Sequence, residues 1–288
     1  MCGEFAGEIG KGSGKSRREM RRKIEHSPNA LVTGGSSGIG LEIARLLAGA
    51  GCNVLIVSND SEKLPKAQQE LLRAGGQVQA LEMDLAYEDS ADRLYAYCKE
   101  KGFEVDILVN NDGMFFYEPL TPDRLEEAKR MLILHNYTPL RLCTLFAEDM
   151  KRRGCGYILN VASIAAHLPV PGLDCYAASK AFLKTFSKAL HNELKGSGVK
   201  LCAVCPAAVS TTLYGLNEKL LKFGTDIHFI QKPSKTAKRA LRSMWRGRKI
   251  CYPAFMCYYL PVLLKLAPDA LIRYIWKKTK GKKEYVQS

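Results

Sequence analysis

The chain has 288 residues, 47% of them hydrophobic, with 43 Lys/Arg against 29 Asp/Glu. That is apolar material for one large core and excludes a chain that cannot fold; one domain of about 220 residues with tails fits better than two. The net charge of +14 is concentrated at one end, where fifteen Lys/Arg from Lys232 to Ser288 face only Asp269 and Glu284 and carry +13 of it, which directs that end toward an anionic surface and leaves the rest near neutral.

The ten cysteines are scattered, several of them at core-facing positions, so reduced thiols are expected. Cys202 and Cys205 have the spacing of a redox or zinc pair, but they lie in an apolar run that reads as a buried strand with no second ligand pair, and no metal site is expected. No apolar signal-peptide core precedes the first strand, and a cytoplasmic location is the expectation.

Residues 1–28 are rich in Gly, Ser, Lys, Arg and Glu and read as a mobile basic tail. The run from Gly10 to Ser16 looks like a phosphate loop, yet that motif needs a glycine where Ile9 stands, and no strand precedes it. Asn29 to Thr33 is the first predicted strand. A glycine turn, Gly34-Gly35-Ser36-Ser37-Gly38-Ile39-Gly40, follows and opens a helix through Leu47. Gly34 permits the sharp turn, Gly38 an approach of backbone to a pyrophosphate, and Gly40 close packing of helix on sheet, with the helix N-terminus toward the phosphates.

Asn53 to Ser58 is the second strand, and the residue after it decides which dinucleotide fits. Asn59 is neutral there; Asp60 favours NAD, whereas Ser37, Ser58 and Lys63 favour a 2′-phosphate, and the balance tilts to NADP. Ser61 to Ala74 is an amphipathic helix, Gln77 to Glu82 the third strand with Asp84 and Leu85 at its carboxyl end, Tyr87 to Lys101 a helix, and Val105 to Asn110 the fourth strand. Thr121 to Arg153 is helical with a break near Tyr137-Thr138-Pro139. Tyr157 to Val161 is a strand delivering Ser163 to a sheet edge. On the helix from Asp174 to Lys195, Tyr176 and Lys180 share a face one turn apart. An ammonium beside a phenol favours the phenolate and brings its pKa toward the working range. Val199 to Cys205 is the sixth strand, followed by Pro206-Ala207-Ala208-Val209-Ser210-Thr211.

Taken together, Thr-Gly-x3-Gly-x-Gly from Thr33, then Asn110-Asn111-Asp112-Gly113, Ser163 and Tyr176-x3-Lys180 resemble the pattern of the short-chain dehydrogenase/reductase family over about residues 29 to 250. The resemblance implies a doubly wound α/β Rossmann fold with a mostly parallel seven-stranded sheet in the order 3-2-1-4-5-6-7. It further implies an NADP- or NAD-dependent oxidoreductase that interconverts a ketone and a secondary alcohol. One catalytic domain would span 29–252, with a substrate lid at about 207–231 and a basic, hydrophobic extension at 253–288.

By the same resemblance, Tyr176 is the general acid or base, Lys180 lowers its pKa and bonds the nicotinamide ribose, Ser163 bonds the substrate oxygen, and Asn136 kinks its helix and holds a relay water. Asp84, followed by Leu85, would bond adenine; Asn111, Gly113 and Pro206 would line the dinucleotide with the glycine turn and Asn59; Val209 and Thr211 would bond the carboxamide. Two departures stand out: the family has alanine at Asp112 and glycine at Ala207, an added carboxylate and a restricted turn at the cofactor. They keep a second reading open, an impaired scaffold that binds a ligand or a membrane surface.

Apolar residues from Leu213 to Ile230, Tyr214 among them, together with His167 and Leu168, suggest a lipophilic substrate such as a steroid-like or long-chain keto lipid. Ile250 to Leu264 is uncharged but broken by prolines and too short for a confident membrane span. With its basic flanks it reads as a peripheral anchor on anionic lipid at a cytoplasmic face, and no nucleic-acid module accompanies it. A homodimer or tetramer is expected by resemblance.

Overall fold

The structure is a computed structural model, and it describes residues 27–167, 170–207, 209, 231–254, 257, 259 and 274. Seven strands form one sheet, β1 (Asn29–Thr33), β2 (Asn53–Ser58), β3 (Val78–Glu82), β4 (Ile107–Asn110), β5 (Gly156–Val161), β6 (Val199–Val204) and β7 (Ile250–Cys251), in the order β3-β2-β1-β4-β5-β6-β7. Every pairing is parallel, so the sheet is fully rather than mostly so. Parallel strands need crossovers, and these are helices: α1 (Gly38–Ala48), α2 (Lys63–Ala74), α3 (Ser90–Glu100), α4 (Leu125–Leu132), α5 (Thr138–Arg153), α6 (Asp174–Glu193) and α7 (Pro233–Trp245).

The near-continuous apolar strands are explained by burial on both faces. Leu31, Leu55, Leu108 and Ile158 occupy one face and pack on Leu94 of α3 and Phe146 of α5. The next residues along, Val32, Ile56, Val109 and Leu159, occupy the other and pack on Ile43 of α1, Leu64 of α2 and Leu241 of α7. The register aligns each set across the sheet, Leu31 with Leu55 and Leu108, and Val32 with Ile56 and Val109.

Strand order reverses between β1 and β4, and a crevice opens at their carboxyl ends, where such sheets take ligands. Side chains fasten it. Thr33 Oγ1 accepts from the backbone N–H groups of Asn111 (3.0 Å) and Asp112 (3.1 Å), while Asn111 Nδ2 donates to the carbonyls of Thr33 and Gly34 at 3.0 Å each. Below it, Asn110 Nδ2 donates to Asn160 Oδ1 and Asn160 Nδ2 to Ser187 Oγ, both at 2.8 Å, so a buried polar chain ties β4 and β5 to α6. That chain fixes α6, which carries Tyr176 and Lys180.

Candidate active site

The crevice is a cleft of about 260 Å3. Gly34, Ser36, Ser37, Gly38 and Ile39 line one side, with Asn59 beyond the end of β2; Asn111 and Gly113 come from the loop after β4, and Pro206 and Val209 from the loop after β6. Gly38 has φ +59°, which favours glycine, and α1 starts there with Ser37 extended before it. Gly40 lies behind the turn. A Cβ on it would stand 2.2 Å from the Gly34 carbonyl oxygen, so helix and turn touch backbone to backbone. An open helix N-terminus among neutral hydroxyls suits a pyrophosphate, and the residues present therefore fit a dinucleotide.

At the far rim, Lys63 Nζ meets Asp60 Oδ2 at 2.6 Å, and this hydrogen bond holds the Asp60 carboxyl below its usual range. The two charges that argued for different dinucleotides thus neutralise each other. Asp60 still lines the rim beside Ser36, Ser58 and Asn59; Ser36 and Ser58 share a hydrogen bond of 2.9 Å, and Ser58 Oγ accepts from the Asp60 backbone N–H at 3.1 Å.

Asp112, where the resembling family has alanine, also lines the cleft, with Oδ1 accepting from the Gly113 N–H at 2.9 Å. Enclosure pushes its carboxyl up to about 6; the Gly113 bond opposes the rise, Asp84 adds to it and Lys180 opposes it. A carboxylate facing a polyanion repels it, so dinucleotide affinity in wild type should rise as pH falls through about 6. Asp112→Asn should bind roughly fivefold tighter at pH 8, about 1 kcal/mol of relieved repulsion, and the advantage should vanish at pH 5. Fluorescence titrations of both proteins check this; parallel pH curves would show that the carboxylate does not face the ligand.

Ser163, Tyr176 and Lys180 line the inner end of the same cleft, and all three are buried. Ser163 follows β5 and opens a 3-10 turn (Ile164–His167); its Oγ accepts from the Ala165 N–H at 3.1 Å, and the Ile164 N–H donates to the Pro206 carbonyl at 2.8 Å, locking the loops after β5 and β6 together. Lys180 Nζ donates to the Val161 carbonyl at 3.2 Å and lies 5.8 Å from the centre of the Tyr176 ring. Burial pushes the Lys180 ammonium down to about 8, and Asp112 opposes that shift. The Tyr176 ring is held edge-on by Phe115 at 5.0 Å and by His135 at 5.7 Å.

Other expected residues stand elsewhere. Asp84 accepts from the Ala86 N–H at 2.9 Å and pairs with Arg130 at 2.5 Å. The Leu85 side chain is buried in the core against α3 and α5, and its carbonyl accepts from Ser90 and Thr138. Asn136 Nδ2 donates to the Ser179 carbonyl at 2.7 Å, away from the cleft lining. His167 pairs with the Tyr252 hydroxyl at 3.0 Å. Ala207, in the family's glycine position, buries its methyl with Ile164 and Cys257. Leu168, Thr211, Tyr214, residues 1–26, all of the segment expected to form a lid between Val209 and Gln231, and nearly all of the expected extension beyond 254 lie outside the described residues. Val209 and Gln231 themselves pair as a parallel bridge, so the chain leaves and rejoins the body at one place. The thiols of Cys202 and Cys205 are buried and pushed upward by that burial, which keeps them protonated at neutral pH.

Residues 28–219 match the short chain dehydrogenase family model. The chain belongs to the short-chain dehydrogenase family. Very-long-chain 3-oxoacyl-CoA reductase of Homo sapiens is 30% identical over 265 residues, 87% of this chain and 83% of that protein. 17-beta-hydroxysteroid dehydrogenase type 3 of Danio rerio is 32% identical over 217 residues, 73% and 69% of the two chains. Among solved structures, a short-chain dehydrogenase from Sphingobium yanoikuyae in complex with NADPH is similar with a TM-score of 0.71 and 25% identity, covering 90% of this chain and 95% of that one. This short-chain dehydrogenase is accordingly an oxidoreductase that acts on CH–OH groups with NAD or NADP.

Proposed function

We propose that the protein reduces a lipophilic ketone with NADPH, a long-chain 3-oxoacyl thioester or a steroid-like ketone. The observation that carries this reading is the convergence of Ser163, Tyr176 and Lys180 at the inner end of a cleft whose outer end suits a dinucleotide. Two sets of relatives named for oxoacyl and hydroxysteroid substrates support the lipophilic ketone. The NADPH-bound structural neighbour supports NADPH over NADH.

A bound nicotinamide supplies the hydride in such chemistry. Ser163 Oγ bonds the carbonyl oxygen as charge develops on it, and Tyr176 donates the proton that completes the alcohol. Lys180, charged below about pH 8, stabilises the phenolate left behind. Asp84, Leu85, Val209 and Thr211 serve the dinucleotide, and His167, Leu168 and Tyr214 the substrate. The division into a catalytic body at 29–252, a lid at 207–231 and an extension at 253–288 belongs to the same reading.

The test is NADPH and, separately, NADH oxidation by purified protein against a 3-oxoacyl thioester, a steroid ketone and a short polar ketone. Faster turnover of the two lipophilic ketones with NADPH is expected. Preference for the polar ketone, or for NADH, would overturn the corresponding half of the proposal.

Among the described residues, no helix is long and apolar enough to cross a membrane. Exposed Lys235, Lys238, Arg246 and Arg248 extend the basic character of the chain's end to the described part and support peripheral contact with anionic lipid at a cytoplasmic face; failure to sediment with anionic vesicles would remove that contact. Leu125, Leu132, Tyr137 and Phe182 are exposed on and beside α4 and α6 and support pairing of two copies there; a monomer by light scattering would refute it.

A further inference from the structure

The break expected in the long helix before β5 is a π turn (Ile133–Tyr137), placed between α4 and α5. A π turn inserts one residue into the helical register, and here the residue facing inward is His135, only 1% exposed, while Asn136 is half-buried. The His135 ring lies between the loop that follows β4 and the helix that carries Tyr176 and Lys180. A Cβ on Gly113 would lie 3.0 Å from His135 Nε2 and 3.7 Å from Lys180 Nζ, so the glycine leaves the space that the imidazole and the ammonium share.

The hydrogen bonds fix the ring's protons. The Met114 backbone N–H donates to His135 Nε2 at 3.1 Å, so that nitrogen carries a lone pair. The one proton of a neutral ring then sits on Nδ1, which donates to Ser179 Oγ at 2.9 Å, and the Ser179 hydroxyl donates in turn to the Tyr176 carbonyl at 2.8 Å. Each donor meets one acceptor, from the cleft-lining loop to the first turn of α6. A protonated ring would set Nε2–H against the Met114 N–H and break the chain at its first bond.

We infer that His135, as a neutral imidazole with its proton on Nδ1, is the positioning residue that sets Tyr176 and Lys180 against the Gly113 loop. His135 is among the residues that line the cleft, and it acts through the Tyr176 backbone and through its edge-on contact with the Tyr176 ring. The charged groups near it are Lys180 from α6 and Asp112 from the loop after β4. Burial first, and the Lys180 ammonium second, hold the imidazole well below its usual range, in keeping with a neutral ring. A charge there would repel the Lys180 ammonium on which the Tyr176 chemistry depends.

The kinetic part of this inference rests on the reductase reading; the spectroscopic part does not. In the full chain, 15N NMR of the histidine side chains should show one ring in the Nδ1–H form that does not titrate between about pH 5 and 8, a signal lost in His135→Gln. An Nε2–H ring, or a titration in that window, would overturn the inference whether or not any ketone is turned over. In turnover, His135→Ala should lower kcat by roughly ten- to a hundredfold with less change in KM for the cofactor, and should shift the pH profile of kcat. His135→Gln, which can still accept from the Met114 N–H, should recover much of the loss and serves as the readout if the alanine variant does not fold. Asn136→Ala, run alongside, should shift the profile less than His135→Ala; the reverse order would assign the position to Asn136.

Discussion

Tyr176→Phe is expected to lower kcat roughly a thousandfold, within the range that a positioned acid or base contributes, while cofactor affinity and thermal stability stay close to wild type. The substitution removes one oxygen and leaves the ring, so the edge-on contacts with Phe115 and His135 remain. What is lost is the one phenol that lines the cleft among the described residues, beside the Ser163 hydroxyl and a Lys180 ammonium that donates to the Val161 carbonyl. The pH dependence has a definite sign. Lys180 is pushed down to about 8 by burial, so the ammonium that supports a phenolate is present below that pH and lost above it, and kcat of wild type should change slope near pH 8. Because the folded-state value lies below the ordinary lysine value, the protonated form costs stability, and that cost is relieved as pH rises through about 8. A Tyr176→Phe protein retaining more than a tenth of wild-type kcat would remove the phenol from the chemistry.

Gly40→Ala should unfold at markedly lower denaturant, by about 1–3 kcal/mol or more for overpacking against rigid atoms, and should bind dinucleotide roughly tenfold more weakly or worse. The added methyl would stand 2.2 Å from the Gly34 carbonyl oxygen and 2.4 Å from Asn111 Nδ2. Neither neighbour can retreat cheaply. Gly34 is backbone at the tip of the turn, with φ +61°, and Asn111 Nδ2 is held by the carbonyls of Thr33 and Gly34. Moving them opens the joint between β1 and β4 that forms the crevice, so stability and ligand affinity fall together. Chemical denaturation and a fluorescence titration measure the two effects. A variant with wild-type values of both would mean that helix and turn are farther apart than described.

The strands and the glycine turn were legible because their cues are local: an apolar run, a glycine, then a helical period. Ser163, Tyr176 and Lys180 were legible because their chemistry and order along the chain are unusual together. What escaped depends on distance or on register. His135 lies one residue from Asn136, and only the π turn, which no hydrophobic period announces, decides which of them faces the cleft. The predicted helix from Thr121 to Arg153 is for the same reason two α-helices joined by that turn, preceded by a short 3-10 turn. Asp60 and Lys63 give opposite signals on the cofactor in the sequence, and only the fold shows that they pair with each other. The pairing of His167 with Tyr252 joins residues 85 apart, and β7 has only two residues, too few to show an alternation. The Leu85 side chain sits at a strand end that faces the core, which its neighbour Asp84 gave no reason to expect.

Reduction in the inner cleft would bring a hydride from NADPH to the ketone carbon and a proton from Tyr176 to its oxygen. Its most direct measurement is a single turnover of the full chain with NADPH deuterated at the transferring position of the nicotinamide, against the lipophilic ketone that turns over fastest, with the product examined by mass spectrometry. One deuterium on the carbinol carbon of the wild-type product, and none formed in the same time by Tyr176→Phe, is the predicted result. An alcohol without deuterium, or no alcohol from any lipophilic ketone by a protein that demonstrably binds NADPH, would contradict the account.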